Sequence, residues 1–146
     1  IQHIPYKGAG QSLTELLGGQ ITMVFATASG IKAHVQSGRL RALAITSPQR
    51  TRAMPDVMTF SEAGYGAIDA VTINGLVGPA NTPRDYVMRV NKVVNAALTK
   101  PEMQTKLIEL GFESAGGTPD EFAAWIKREI VKWAKIVKES GAKAEL

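Results

Sequence analysis

The pattern of apolar and polar positions along the chain changes near Pro79. Before that residue, short apolar runs alternate with short helical stripes. The runs lie at residues 1–5, 21–25 and 40–46, and the stripes at residues 12–17 and 29–37. Alternation of strand and helix is typical of a parallel, doubly wound sheet. We therefore predict the α/β class for this part of the chain, with a further extended segment at residues 68–77.

After Pro79 the apolar residues recur every three or four positions, which predicts helices. Three helices are expected, beginning near Pro83, Pro101 and Pro119, and Phe112 starts a possible short strand. Thr118 followed by Glu121 has the spacing of a capping box. Three helices with strong apolar faces cannot close a core alone. If the chain folds by itself, we expect an oligomer or a swapped assembly to cover the faces at residues 87–98 and 122–137.

The beginning of the chain looks like the interior of a longer protein. It opens directly on Ile1-Gln2-His3-Ile4-Pro5, a core-type strand with neither an initiator Met nor a signal peptide. We expect an N-terminal part to precede Ile1 in the full protein.

Composition and charge exclude several classes of function. The 146 residues are 45% hydrophobic and 21% charged, which is ordinary for a globular protein. The net charge is +4, and basic residues cluster on the last predicted helix. Trp133 is the one aromatic residue among them and does not by itself form a stacking platform for single strands, so a solvated face is favoured over a nucleic-acid site. The absence of cysteine excludes disulfides, thiolate zinc sites and cysteine nucleophiles.

The residue inventory also argues against catalysis and against a bound cofactor. The two histidines, His3 and His34, have no recognisable triad context. Metal binding would need clustered histidines or carboxylates, and no such spacing is found. Gly8-Ala9-Gly10 resembles a piece of a dinucleotide fingerprint, but Leu13 stands where the third glycine is required. We predict a binding protein without enzymatic activity, cofactor or metal.

Residues 20–29 hold the best candidate site. The apolar run ends abruptly in Ala26, Thr27, Ala28 and Ser29, and a helical pattern follows at once. A strand, a turn of small residues and a helix start together present free backbone N–H groups to an anion. The alternative is simple N-capping of the helix by Thr27 and Ser29, which would explain the same residue types.

Two further junctions complete the predicted site for a small carboxylate. Tyr6, Lys7 and Gly8 could supply a hydroxyl, a positive charge and a backbone donor, the alternative being a surface turn. Ile73 and Asn74 lie where the chain passes between its halves, the alternative being an ordinary strand end.

Seven short motifs, in order, resemble one particular family. They cover essentially the whole chain and read Ile4-Pro5-Tyr6-Lys7-Gly8, Leu16-Leu17-Gly18-Gly19-Gln20, Gly38-Arg39-Leu40-Arg41-Ala42-Leu43-Ala44, Met54-Pro55-Asp56-Val57, Glu62-Ala63-Gly64-Tyr65, Pro79-Ala80-Asn81-Thr82-Pro83 and Gly116-Gly117-Thr118-Pro119. Their order and spacing resemble the Bug (Bordetella uptake gene) family of extracytoplasmic solute receptors, the binding proteins of tripartite tricarboxylate transporters.

The resemblance implies a partial, type II periplasmic-binding-protein-like α/β fold that closes over its ligand. Residues 1–74 would belong to the second lobe, and residues 75–146 would return to the first. It also implies a periplasmic location, a small organic acid as ligand and membrane permease subunits as partners. The alternative function is the effector-binding domain of a LysR-type transcription regulator, which shares the two-lobed topology. An enzyme on the same plan ranks last.

By position, the family's cleft loops correspond to residues 6–8, 26–29 and 72–74. Two departures from the family pattern matter. Many members carry Asp where this chain has Ala26, and an Asp there could hold a ligand ammonium group. Its loss favours a plain carboxylate over an amino acid. Many members also have an aromatic residue near Ile73 or Asn74, which this chain lacks, so ring stacking is not implied.

Overall fold

Five helices form the regular structure of the described chain. The structure is a computed structural model and describes residues 2–66 and 68–141. The helices are, in chain order, α1 (Ala9–Leu17), α2 (Ala28–Gln36), α3 (Arg84–Leu98), α4 (Pro101–Glu109) and α5 (Pro119–Ser140). All five were expected from the apolar periodicity, and α1 begins three residues before the predicted stripe. None of them is long and apolar enough to cross a membrane.

The chain divides into two compact units. The first comprises the chain up to Leu76 together with Pro101–Ser114, and the second comprises Val77–Lys100 and the chain from Ala115 onward. The first unit therefore holds α1, α2 and α4, and the second holds α3 and α5. The assignment of residues 1–74 and 75–146 to two lobes of a receptor stays a prediction.

The predicted strands do not assemble into a sheet within the described residues. The one β-type pairing found there is a parallel bridge between Ile45 and Thr59. Ile45 N–H donates to the Met58 carbonyl at 2.9 Å, and Ala70 N–H donates to the Thr46 carbonyl at 3.1 Å. The strands predicted at residues 21–25, 68–77 and 112–115 are not formed. A strand needs a neighbour for its backbone hydrogen bonds, and the β pattern alone does not provide one.

Three of the four buried residues described in the first unit lie between residues 53 and 59, and the fourth is Ser12 of α1. Ala53, Met54 and Thr59 are buried, and Thr59 is only 3% exposed. Thr59 N–H donates to Glu62 Oε2 at 2.8 Å, and Glu62 N–H donates back to Thr59 Oγ1 at 3.1 Å. Arg50 Nε donates to both oxygens of the Glu62 carboxylate. These bonds hold residues 50–62 as a compact turn-rich segment.

In the second unit the loop before α5 is attached to α3. Asn95 donates from Nδ2 to the Gly117 carbonyl at 2.9 Å and accepts from Gly117 N–H at 2.9 Å. Asn91 Nδ2 donates to the same carbonyl at 2.8 Å. Gly117 has a φ of 114°, a value that a side chain would disfavour. The side-chain amides of Asn91 and Asn95 thus fix the path of the chain as it enters α5.

The apolar face of α5 is largely exposed in this single chain, whereas on the face of α3 Val90 is exposed and Val87, Val94 and Leu98 are half-buried. On α5, Phe122 and Ile126 are half-buried, whereas Ile130, Trp133 and Val137 are exposed. The chain by itself therefore leaves the second half of this face uncovered. An amphipathic helix buries its apolar stripe only where another element packs on it. A second chain or a swapped lobe that covers these faces stays a prediction.

Candidate ligand-binding site

Tyr6, Lys7 and Gly8 lead directly into the first turn of α1. Gly8 is the N-cap residue of α1, and its backbone is fully extended, with φ of 175° and ψ of 162°. It has no side chain to cap the helix, and the first turn of α1 contains no acidic residue. The first backbone N–H groups of a helix have no partner within it. This loop is therefore a helix start, three residues earlier than the helical stripe predicted at residues 12–17.

The Tyr6 side chain is half-buried and is held by α1. Its hydroxyl donates a hydrogen bond to Glu15 Oε2 at 2.5 Å. This bond, with a smaller contribution from desolvation, raises the pKa of the Tyr6 phenol above its ordinary value of 10.0. Sequence reasoning missed Glu15, because a single carboxylate on a helix carries no signal of the partner that it will find.

Ala26, Thr27, Ala28 and Ser29 form the start of α2. Thr27 is the N-cap residue, with φ of −71° and ψ of 144°, but its side chain makes no capping hydrogen bond. Instead, Ser29 Oγ donates to Thr27 Oγ1 at 3.3 Å. Thr27 thus occupies the N-cap position of the alternative explanation, but the side-chain capping bond that this explanation requires is not formed. The first turn of α2 also lacks any acidic side chain.

The turn that follows α4 packs closely on the start of α2. Gly111 has a φ of 84°, and a Cβ atom there would lie 2.7 Å from both the N and the Cα of Ser29. Lys32 Nζ, one turn further along α2, donates to the Ile108 carbonyl at the end of α4. No local pattern in the sequence indicates that Gly111 approaches Ser29.

Ile73 and Asn74 lie in an exposed, extended segment of the first unit. All nine predicted ligand residues thus belong to the same compact unit. Within the described chain, no hydrogen bond connects one of the three loops with another. The structure places Tyr6 in contact with Glu15, and Ser29 in contact with both Thr27 and Gly111. The convergence of the three loops on one ligand stays a prediction.

Other parts of the described chain offer less for a carboxylate or a metal. Two surface grooves run along α3 in the second unit. Both are lined by Tyr86 and Arg89, and the guanidinium carbon of Arg89 lies 6.0 Å from the centroid of the Tyr86 ring. The larger groove is also lined by Val90, Val93 and Val94. Such a lining suits apolar contact better than an anion. Between residues 2 and 141, leaving out 67, no three His, Asp or Glu side chains cluster as metal ligands.

Comparison with known proteins decides the family. The model of the tripartite tricarboxylate transporter family receptor matches residues 1–142. The chain belongs to this receptor family. The Bug-type resemblance of the seven motifs is thereby confirmed. Among curated relatives, Protein BugT of Bordetella pertussis is 34% identical over 143 residues, a match that covers 98% of this chain and 44% of BugT.

Solved structures of similar proteins confirm the fold of this receptor chain. One, described as the structure of a periplasmic transporter, is 36% identical with a TM-score of 0.87, over 98% of this chain and 48% of that one. Another, an R. palustris protein solved with adipate, is 29% identical with a TM-score of 0.86, over 94% and 46%. The chain thus spans about half the length of the relatives it matches, and its fold is a partial periplasmic-binding-protein-like α/β fold.

Proposed function

We propose that the protein is a periplasmic receptor that captures a small organic carboxylate for a tripartite tricarboxylate transporter, without catalysing a reaction. Its partners would be that ligand and the permease subunits of the transporter. Membership of the receptor family supports the role, and the adipate bound to the R. palustris relative supports a carboxylate as ligand. The lack of an Asp at Ala26 supports a plain carboxylate rather than an amino acid.

The observation that carries the proposal is the pair of open helix starts in the first unit. Neither α1 nor α2 has a side-chain cap or an acidic residue in its first turn. Backbone N–H groups at such positions carry the positive end of the helix dipole and favour an anion. We assign the ligand contacts to Tyr6, Lys7 and Gly8 at α1, to residues 26–29 at α2, and to Ile73 and Asn74.

The β-type segments fit the same proposal. Residues 21–25 and 68–77 have a strand pattern without a strand partner in the described chain, and Phe25 is 78% exposed. We infer that segments of the full-length receptor outside this chain pair with them. Residues 1–74 and 75–146 then contribute to different lobes, as the family resemblance implies.

The test places a carboxylate of the protein where the ligand carboxylate is proposed to bind. In Thr27→Asp, the new side chain can cap α2 and interact with its dipole, so the helix should be at least as stable as before. Affinity for dicarboxylates such as adipate and succinate, measured by calorimetry, should fall at least tenfold. The matched control is Thr105→Asp, which adds the same charge at an exposed position inside α4.

Two results would contradict the proposal. The first is unchanged dicarboxylate affinity in Thr27→Asp. The second is a thermal-shift screen of the unaltered protein in which only neutral sugars or cations stabilise it. Loss of affinity in both Asp variants alike would indicate a general charge effect and would also count against binding at the α2 start.

A further inference from the structure

The hydrogen bond between Tyr6 and Glu15 determines what the Tyr6 oxygen can offer to a ligand. A phenol has one proton, and Tyr6 directs it to Glu15 Oε2 at 2.5 Å. Only the lone pairs of the oxygen remain for another partner. Tyr6 therefore acts toward a ligand as a neutral hydrogen-bond acceptor.

A ligand carboxylate is itself a pure acceptor, so it cannot use this oxygen. A tyrosine phenol is already protonated at neutral pH, and the raised pKa of Tyr6 moves it further from ionisation. The group that matches Tyr6 must donate a hydrogen bond, as a hydroxyl does. An ammonium group would donate too; none of the nine proposed ligand residues carries a carboxylate, and the one carboxylate that contacts Tyr6, on Glu15, already accepts the phenol hydrogen bond.

We propose that Glu15 is a positioning residue that makes Tyr6 an acceptor for a ligand hydroxyl, so that the site prefers hydroxycarboxylates to the same acids without the hydroxyl. This inference rests on the proposed function, which places Tyr6 beside the ligand. One hydrogen bond between neutral groups corresponds to a preference of about tenfold in affinity.

The experiment measures affinities for pairs of acids that differ by one hydroxyl. Succinate with malate and tricarballylate with citrate are titrated calorimetrically into the full protein. The hydroxylated member of each pair should bind about tenfold more tightly. In Tyr6→Phe this ratio should fall to about one, because the acceptor is gone. In Tyr65→Phe, the control at an exposed tyrosine of the same unit, the ratio should persist.

Variants of Glu15 separate positioning from mere support of the fold. Glu15→Leu removes the acceptor of the Tyr6 hydroxyl. Tyr6 can then donate its hydrogen bond to a ligand carboxylate, and the preference should move toward the acid without the hydroxyl. Glu15→Gln keeps a carbonyl acceptor for Tyr6 and should retain the preference. Damage to the fold would weaken both members of a pair and leave their ratio unchanged. Alkaline absorbance titration should show one tyrosine ionising at lower pH in Glu15→Leu than in the unaltered protein.

The possible failures are distinguishable. Equal affinities within each pair would overturn the hydroxyl preference and leave the carboxylate receptor intact. A ratio unaffected by Glu15→Leu would overturn the positioning role of Glu15. Tighter binding of aspartate than of malate would overturn the hydroxyl assignment in favour of an ammonium group. No binding of any of these acids would overturn both this inference and the proposed carboxylate ligand.

Discussion

At the start of α5, Thr118 Oγ1 accepts from Glu121 N–H at 3.2 Å, and the Glu121 carboxylate accepts from Thr118 N–H at 2.7 Å. Asp120 lies in the same turn and pairs with Arg84 at 2.8 Å. At the start of α2, by contrast, Thr27 makes no capping bond and no acidic residue is present in the first turn. The two helix starts are built from similar residues, Thr followed by small or acidic neighbours, and reach opposite states.

The difference indicates which helix end serves the fold and which is left for a ligand. The α5 start supplies its own anions, so a second anion would meet the charges of Asp120 and Glu121. The α2 start has the same backbone N–H groups and dipole without any internal anion. It is instead enclosed on one side by Gly111, whose turn packs on Ser29. Three tests address this contrast.

The largest effect is expected at Gly111. Gly111→Ala must place a methyl group 2.7 Å from the Ser29 backbone while adopting a φ of 84°. The left-handed conformation alone costs about 1 to 2 kcal/mol for a residue with a side chain, and the clash adds to it. Chemical denaturation should show a loss of unfolding free energy of roughly 2 kcal/mol or more.

The matched control for that substitution is Gly38→Ala. Gly38 has a similar φ of 73°, but no atom lies near the site of the added methyl group. Its substitution should cost only about 1 to 2 kcal/mol from the backbone conformation. Equal losses in the two variants would show that the turn at Gly111 does not press on α2.

The second test compares the two threonines directly. Thr118→Ala removes a capping acceptor and should reduce the unfolding free energy by about 1 kcal/mol. Thr27→Ala removes no capping bond and should leave that free energy within about 0.5 kcal/mol of its original value. A loss of similar size at Thr27, measured by the same denaturant titration, would mean that α2 is capped like α5.

The smallest effect is expected in the dependence of stability on pH. The hydrogen bond from Thr118 N–H, with that from the Thr118 hydroxyl, lowers the pKa of Glu121 below its ordinary value of 4.5. A lowered pKa in the folded state means that Glu121 adds stability above its unfolded pKa and loses it as the pH falls through the folded value. The difference between the unfolding midpoints at pH 7 and pH 3 should therefore be smaller in Glu121→Gln than in the unaltered protein. An unchanged pH dependence would contradict the capping box.

The helices were predictable because their signals are local. Pro119 with the Thr118 and Glu121 spacing specifies the start of α5 within four residues, and observed and predicted boundaries agree there. The strands were not predictable in the same way. Residues 21–25 have the apolar pattern of a strand, but pairing depends on a neighbour that pattern alone cannot identify. Family motifs supplied the fold class, which periodicity had left as a general α/β arrangement.

The residues of the candidate site could be named from the sequence, but their interactions could not be predicted. The sequence pointed to Tyr6 and Thr27, and the structure places both at helix starts. The sequence gave no sign that Glu15 would accept a hydrogen bond from Tyr6 or that Gly111 would approach Ser29. Contacts between residues distant along the chain depend on how elements pack, which no local spacing records.

The contact between α4 and α2 also has a consequence for the order of folding. Lys32 and the Ile108 carbonyl are 76 residues apart in sequence, and the whole of α3 lies between them. Closing so long a loop costs conformational entropy before any contact repays it. During synthesis, α1 and α2 emerge well before the turn at Gly111. The helix start proposed to hold the ligand therefore gains its enclosing turn only after part of the second unit has been made.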